Sequence, residues 1–428
     1  MAIQRPKLKF VRGTTYTLDL SDSSMATHPI RFTADSGVSE YIHGVTVNGT
    51  QGQAGATVSW NVPDSAPDNM MYYCTTHGIG MGNKISVIND AAAVNYIGSR
   101  GWNTGGNTSA SSTKAGSNNI TYFSIPTQST ATRVNNVFSD YGGGLGLQAT
   151  GTRGADCLVV GGNASGNAAF QGINKFNCVT LGAATSHGTL TAWLGLNSDP
   201  YYSYDNDTNQ NWMNRGSMSD GDRCVFQAGY YHAGNNGVGS FHADIGYVSI
   251  QNSGNANNHG DLTQARRGPI AANDDTRGLF IAGENVATSG TNRIDYVTIQ
   301  TPGDATDFGD YTYNLRRGAG THNKTIALTT GGRYDTGSPS TLYITYSGQN
   351  VIQTLGNATS FGNLNTGRNR HGCVSDGTYA VSYGGVNASG DVNVYEYQSF
   401  ATPGNGVAFG TLGTLHVQDH GTGSGAAA

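Results

Sequence analysis

The 428-residue sequence predicts an all-β protein in two parts, a small β-sandwich followed by a long array of strand-rich repeats. Three observations carry this. Glycine makes up 63 of the residues, about twice the usual share, and has no three-residue period, so it marks turns rather than collagen. Short apolar segments alternate with period two, the pattern of half-buried strands. From residue 95 onward, a strand ending in a glycine pair recurs about every 50 residues.

Charge is sparse, with 23 Lys and Arg against 28 Asp and Glu and a net charge of −5. Basic residues never run, which argues against a nucleic-acid partner. No stretch approaches the ~20 apolar residues of a membrane span, so no membrane insertion is expected. The start, MAIQRPKLKFVRG, lacks the apolar core of a secretory signal and points to synthesis in a cytoplasm. The five cysteines (Cys74, Cys157, Cys178, Cys224 and Cys373) are odd in number and scattered, which argues against a disulfide framework. The Gly/Thr/Asn/Ser-rich, lysine-poor composition suits a protein that works outside a cell. A virus structural protein, made inside and used outside, reconciles the two.

Residues 1–88 lack the repeat. The segments KLKFVRGTTYTLDL, THPIRF, ATVSWNVPDSAP and MMYYCTTHGIGMGNKISVI read as alternating strands between Gly, Pro and Asp turns, a small sandwich. Residues 89–94 read as a linker. One motif here carries chemistry: His28-Pro29, then Cys74-x-x-His77-x-x-x-Met81. A thiolate, two imidazoles and a thioether form the ligand set of a blue-copper centre, with Cys74, His28 and His77 in the plane and Met81 axial. The plainer reading makes Cys74 a buried apolar residue and each His a satisfied polar group. The HP step, the VPDSAP turn, YYC-x-x-H and the following Met-Gly resemble the cupredoxin family across the whole segment, as does the first strand. The His77–Met81 spacing is one residue shorter than is usual there. The resemblance implies a cupredoxin-like β-sandwich with copper as an optional, not a required, cofactor.

The repeat units fill residues 95–418, and 419–428 read as a flexible tail. Glycine steps end at Gly106, Gly162, Gly229, Gly283, Gly332 and Gly385, and the later five each follow a polar turn and a short apolar strand. An alternating strand comes after each pair, as in IGYVSI and IDYVTI. A further step, SHG at His187, NHG at His259, DFG at Phe308, SFG at Phe361 and AFG at Phe409, reads as a turn. These repeats resemble kelch-type β-propeller blades. The resemblance implies a kelch-like β-propeller of six blades, whose ring would close by joining the segment after AFGTLGTLHV to the first copy.

One repeat is about 20 residues longer than its neighbours. The excess gathers Tyr201, Tyr202, Tyr204, Asp205, Asp207 and Trp212, a set suited either to stacking on a host-surface glycan or receptor, or to packing on a neighbouring subunit. Arg153, Arg223 and Arg277 recur at one repeat position, and Arg266-Arg267 and Arg316-Arg317 form pairs. They could line a channel as a basic ring or bond turn carbonyls. No nucleophile, phosphate-loop or zinc-protease motif stands above background, so no enzymatic activity is expected.

Phrases such as TIQTPGDATDFGDYT and SDGTYAVSYGG, with the cupredoxin-like start, resemble structural proteins of marine tailed bacteriophages. That resemblance implies a non-enzymatic tail, fibre or surface-decoration component located in the virion. Its expected partners are other virion proteins, further copies of itself, and a host-surface glycan or receptor.

Overall fold

The computed structural model describes residues 6–12, 14–35, 39–63, 66–88, 100–104, 119–125, 132–136, 149–153, 156–163, 169–178, 183–190, 216–227, 230–231, 240–285, 290–335 and 341–411. The described residues are all-β, with one short 3-10 turn at Ser23–Thr27 as the exception. The chain divides into two compact units, Met1–Asn95 and Tyr96–Ala428.

The first unit is a β-sandwich of seven strands: β1 (Leu8–Val11), β2 (Thr15–Asp19), β3 (Ile30–Thr33), β4 (Val45–Asn48), β5 (Thr57–Asn61), β6 (Asn69–Cys74) and β7 (Gly78–Ile88). One sheet has the order β1-β7-β6-β3, with β1 parallel to β7, and the other has the order β2-β5-β4. Alternation decides which residues go inside. Phe10, Phe32, Val58, Trp60, Met70, Tyr72, Ile85 and Val87 form the core between the sheets. Phe10 and Phe32 stand 5.2 and 5.1 Å from the Trp60 ring, and the indole N–H is satisfied by the His43 carbonyl at 3.0 Å.

The second unit is a propeller whose blades are six larger sheets among the described residues, beside two two-stranded pairs, Tyr230–Tyr231/Ser240–Phe241 and Val386–Asn387/Gly390–Asp391. Blade one holds Arg100–Thr104, Asn119–Ser124 and Thr132–Asn136. Blade two holds Ala149–Arg153, Asp156–Asn163, Ala169–Asn177 and Thr185–Thr189. Blade three holds Ser217–Ser219, Arg223–Gln227, Asp244–Ser249 and Asn257–Asp261. Blade four holds Ile270–Asn273, Arg277–Ile281, Thr291–Thr298 and Thr306–Arg316, and the hairpin Arg333–Asp335/Thr341–Tyr343 extends it. Blade five holds Ala319–His322, Ile326–Thr330, Tyr346–Val351 and Thr359–Asn363. Blade six holds Gly372–Ser375, Tyr379–Tyr383, Val394–Ser399 and Val407–Thr411.

Each blade buries one face against the next, so the cores lie between blades. Trp102 and Ile120 of blade one pack on Val159 and Phe176 of blade two, and Leu158 and Ile173 of blade two pack on Phe226 and Val248 of blade three. The series runs on through blades three to six. It returns to its start where Val374, Val381 and Tyr395 of blade six enclose Phe123 and Ile125 of blade one. The Tyr383 hydroxyl donates to the Trp102 carbonyl across that last interface, at 3.2 Å. The ring is therefore closed by side-chain packing. Arg100–Thr104 sits against the first strand of blade six as a second strand does elsewhere in the ring. The segment expected to complete blade one, after Thr411, lies outside the described residues.

Three devices repeat around the ring. The polar turns before the second strands are Asx turns: one side-chain oxygen each of Asp220, Asp274, Asn323 and Asp376 accepts the N–H groups two and three residues on. The glycine pair follows. In Gly331-Gly332 both residues have positive φ, 54° and 115°, and a Cβ on Gly332 would lie 2.6 Å from Leu315.

The third device corrects the sequence reading. The SHG, NHG, DFG, SFG and AFG steps lie inside fourth strands, not in turns. At each of them the pairing register with the third strand shifts by one residue. The residue skipped is His187, His259, Phe308, Phe361 or Phe409, so each is a β-bulge. The glycine after it lets the next blade approach. A Cβ on Gly362 would lie 2.0 Å from the Gly404 carbonyl oxygen, and one on Gly188 1.8 Å from that of Gly254. The approaching turn reads Gly-Asn/Asp and returns hydrogen bonds. Gly303 donates to His259 O and Gly356 to Phe308 O. The N–H groups of Thr189, Asp261, Asp310 and Asn363 are held by Asn255, Asp304, Asn357 and Asn405 of the following blade at 2.9–3.1 Å.

Two predictions follow from this construction. Gly362→Ala must push two backbones apart, so it should destabilise the propeller by about 2–4 kcal/mol in urea unfolding. An unchanged midpoint would show that the approach is not required. The second prediction concerns acid. His187, His259 and His371 are buried, and burial holds each below the ordinary histidine value; His371, also beside the Arg368 guanidinium, falls to about 3. The unfolded chain therefore takes up protons below pH ~6.5 while the folded chain does not. Stability should be full above that value and fall progressively toward pH 3. His371→Gln should flatten part of the decline in melting temperature.

Candidate metal centre

Cys74 ends β6 with its side chain pointing inward, 2% exposed. The chain turns at once through Thr75, Thr76 and His77, and Gly78, at φ 71°, starts β7 opposite Cys74. His77 therefore sits at the tip of a tight hairpin and is exposed. His28 arrives from elsewhere. Asp22 caps the 3-10 turn by accepting the Ser24 N–H at 2.9 Å, and His28 closes that turn by donating its N–H to Met25 O. Pro29 then directs the chain into β3. The pairing of Ile30 with Cys74 fixes the register, and Thr75 donates to Pro29 O at 3.0 Å.

These restraints bring three donor atoms together. Cys74 Sγ lies 3.3 Å from His77 Nδ1 and 3.9 Å from His28 Nδ1, and the two Nδ1 atoms are 3.1 Å apart. Two imidazole nitrogens facing one another at that distance need a proton or a cation between their lone pairs. A triangle with these sides has its centre about 2.0 Å from each corner, close to a metal–nitrogen bond of about 2.0 Å and a little short of a metal–sulfur bond of about 2.3 Å. Sulfur plus imidazole is the donor set that copper and zinc prefer. The residues fit a metal ion, with the thiolate on the buried side and both imidazoles toward solvent.

Met81 lies on β7, half-buried, in the segment between the Tyr72–Asn83 and Cys74–Gly78 pairings. Among the described His, Cys, Asp and Glu residues, the group that comes together as potential ligands is His28, Cys74 and His77. Tyr201, Tyr202, Tyr204, Asp205, Asp207 and Trp212 lie outside the described residues, as does the Arg153 side chain. The other four cysteines are buried and form no disulfide. Burial pushes the Cys373 thiol up to about 11, which keeps it protonated and unreactive.

The recurring arginines bond carbonyls. Arg223 donates to Gln300 O and Arg277 to Ile352 O, each in the next blade, while stacking over Tyr247 and Tyr296 of their own blades. Arg266 is fully buried on Asp295, and Arg267, Arg316 and Arg317 all approach Glu284. Sequence reasoning found neither acceptor. It also missed Gln51, whose side chain brackets Ile30 beside the candidate ligands. A glutamine in a polar turn carries no signal of that role.

No protein-family model and no curated protein matches this chain. Among solved structures, that of YjhT is similar, with a TM-score of 0.51 over 68% of this chain and 91% of that one. At 11% identity that similarity speaks for the fold alone.

Proposed function

We propose that the protein is a non-enzymatic structural or attachment component of a tailed-bacteriophage virion. The observation that carries this reading is how the propeller spends its buried charge. Arg266 is paired with Asp295, Arg368 with Glu396, and Glu284 with three arginines. These groups lock inner turns to strands, so they serve rigidity rather than proton transfer. A closed ring with little charge suits a particle in salt water, where electrostatics are screened over ~10 Å or less. The long segment with Tyr201, Tyr202, Tyr204, Asp205, Asp207 and Trp212 would supply contacts to a host glycan or to neighbouring virion proteins. Antibody raised against the purified chain should label intact particles in electron micrographs. Labelling of infected-cell lysate but not of purified particles would overturn the reading.

The geometry of His28, Cys74 and His77 favours a second reading, that the first unit binds copper. Bound copper would supply one-electron redox chemistry, with Cys74 as thiolate donor and the imidazoles holding the plane. Purified protein given Cu(II) should develop an intense visible thiolate-to-copper band, and Cys74→Ser should abolish it. A colourless wild type would remove this reading and leave the virion proposal intact.

A further inference from the structure

The metal ligands come from two segments whose separation must be held from outside the sheet. One segment, Cys74–Gly78, is a hairpin between paired strands. The other, Thr27–Ile30, leaves a short 3-10 turn and enters β3 at the sheet edge. An edge strand has unpaired backbone groups along one side. At Ile30 those groups are taken by a side chain. Gln51 Oε1 accepts the Ile30 N–H at 2.7 Å, and Gln51 Nε2 donates to Ile30 O at 3.2 Å. One amide thus imitates a neighbouring strand at a single residue. Gln51 is 6% exposed, so these bonds are sheltered from water.

The next residue fixes the other end of the same segment. Gly52, at φ 88°, donates its N–H to Leu20 O, and a Cβ there would lie 2.4 Å from Ala26 N in the 3-10 turn. The Gln51-Gly52 step therefore presses on the chain at Ala26 and grips it at Ile30, on either side of His28. Ile30 is paired with Cys74 across the sheet, so the gripped residue lies opposite the one that bears the sulfur.

We infer that Gln51 is a positioning residue for the metal centre, holding His28 at ligand distance from Cys74 and His77 without touching the metal. This rests on the metal-binding reading. Partners that orient ligands from behind commonly contribute 10–100-fold to metal affinity.

The test uses the full chain and cobalt(II), which reports thiolate ligation by its charge-transfer band and does not oxidise the sulfur. Wild type should bind with that band, and Gln51→Ala should bind at least 10-fold more weakly. Gln51→Glu keeps the acceptor but loses the donor and should fall between the two. Val58→Ala, a cavity in the same core, serves as the matched control for stability. The inference is overturned if Gln51→Ala binds as wild type does. It is equally overturned if Val58→Ala, at the same loss of urea stability, weakens binding as much. If wild type itself shows no cobalt band, the metal reading fails first, and the loss is then seen without any variant.

Discussion

Blades two to five each depend on the backbone of the fourth strand meeting the turn of the next blade with nothing between them. The bulged His or Phe reaches toward the interface, and the glycine behind it accepts the neighbour's Gly-Asn/Asp turn at a distance no Cβ permits. That approach is what allows Gly303, Ala305, Gly356 and Ala358 to donate backbone hydrogen bonds across the gap. A sheet twists by its own chirality, and six twisted sheets will not close unless each is held at a fixed angle to the next. The Gly-Asn/Asp step sets that angle at the outer strands, and side-chain packing fills the space left inside. Glycine content is thus a consequence of closure as much as of turns.

The same logic governs the charges. Taking a guanidinium out of water is costly unless a carboxylate and further hydrogen bonds receive it. Arg266 meets Asp295, the Phe280 carbonyl and the Gln264 carbonyl, and Arg368 meets Glu396 with the carbonyls of Gly384 and Val394. Such sites are strongly specific about geometry, since a shifted strand would strand a buried charge. Arg223 and Arg277 act more gently, at partly exposed positions, by stacking on a tyrosine and reaching to the next blade. Few charged residues are present, and those inside the ring serve to fix register between elements distant in sequence.

This explains what could and could not be read from the residues alone. The Asx turns, the apolar second strands and the glycine pairs are local: each is decided by a few consecutive residues, and the pattern repeats. The bulges are not local. SHG and DFG look like turns because glycine after a polar or aromatic residue commonly ends a strand. Only the neighbouring blade reveals that the strand continues through it. Glu284 was invisible for the same reason, since its three arginines lie on two separate segments. In the sandwich, Cys74 and His77 share a hairpin and were legible as a pair. His28 was legible only through the HP step, and Gln51 not at all, because its role arises from backbone groups exposed by the edge of a sheet.

The cluster of His28, Cys74 and His77 follows from that sandwich edge. β3 is the last strand of its sheet, and the cross-strand pair Ile30–Cys74 places the residue two before Ile30 beside the hairpin that follows Cys74. Pro29 has no N–H to donate, but its carbonyl accepts from Thr75, which continues the ladder one step past the strand. His28 is then beyond the last paired residue, and its direction is set by the 3-10 turn on one side and the gripped Ile30 on the other. Two imidazoles brought within 3.1 Å by these restraints either share one Nδ1–H as a hydrogen bond or turn both Nδ1 lone pairs to a cation. The sulfur beneath them is a poor hydrogen-bond partner for either. Three donor atoms turned to one point are the arrangement that the copper-binding proposal requires, since a soft cation there would satisfy all three at once.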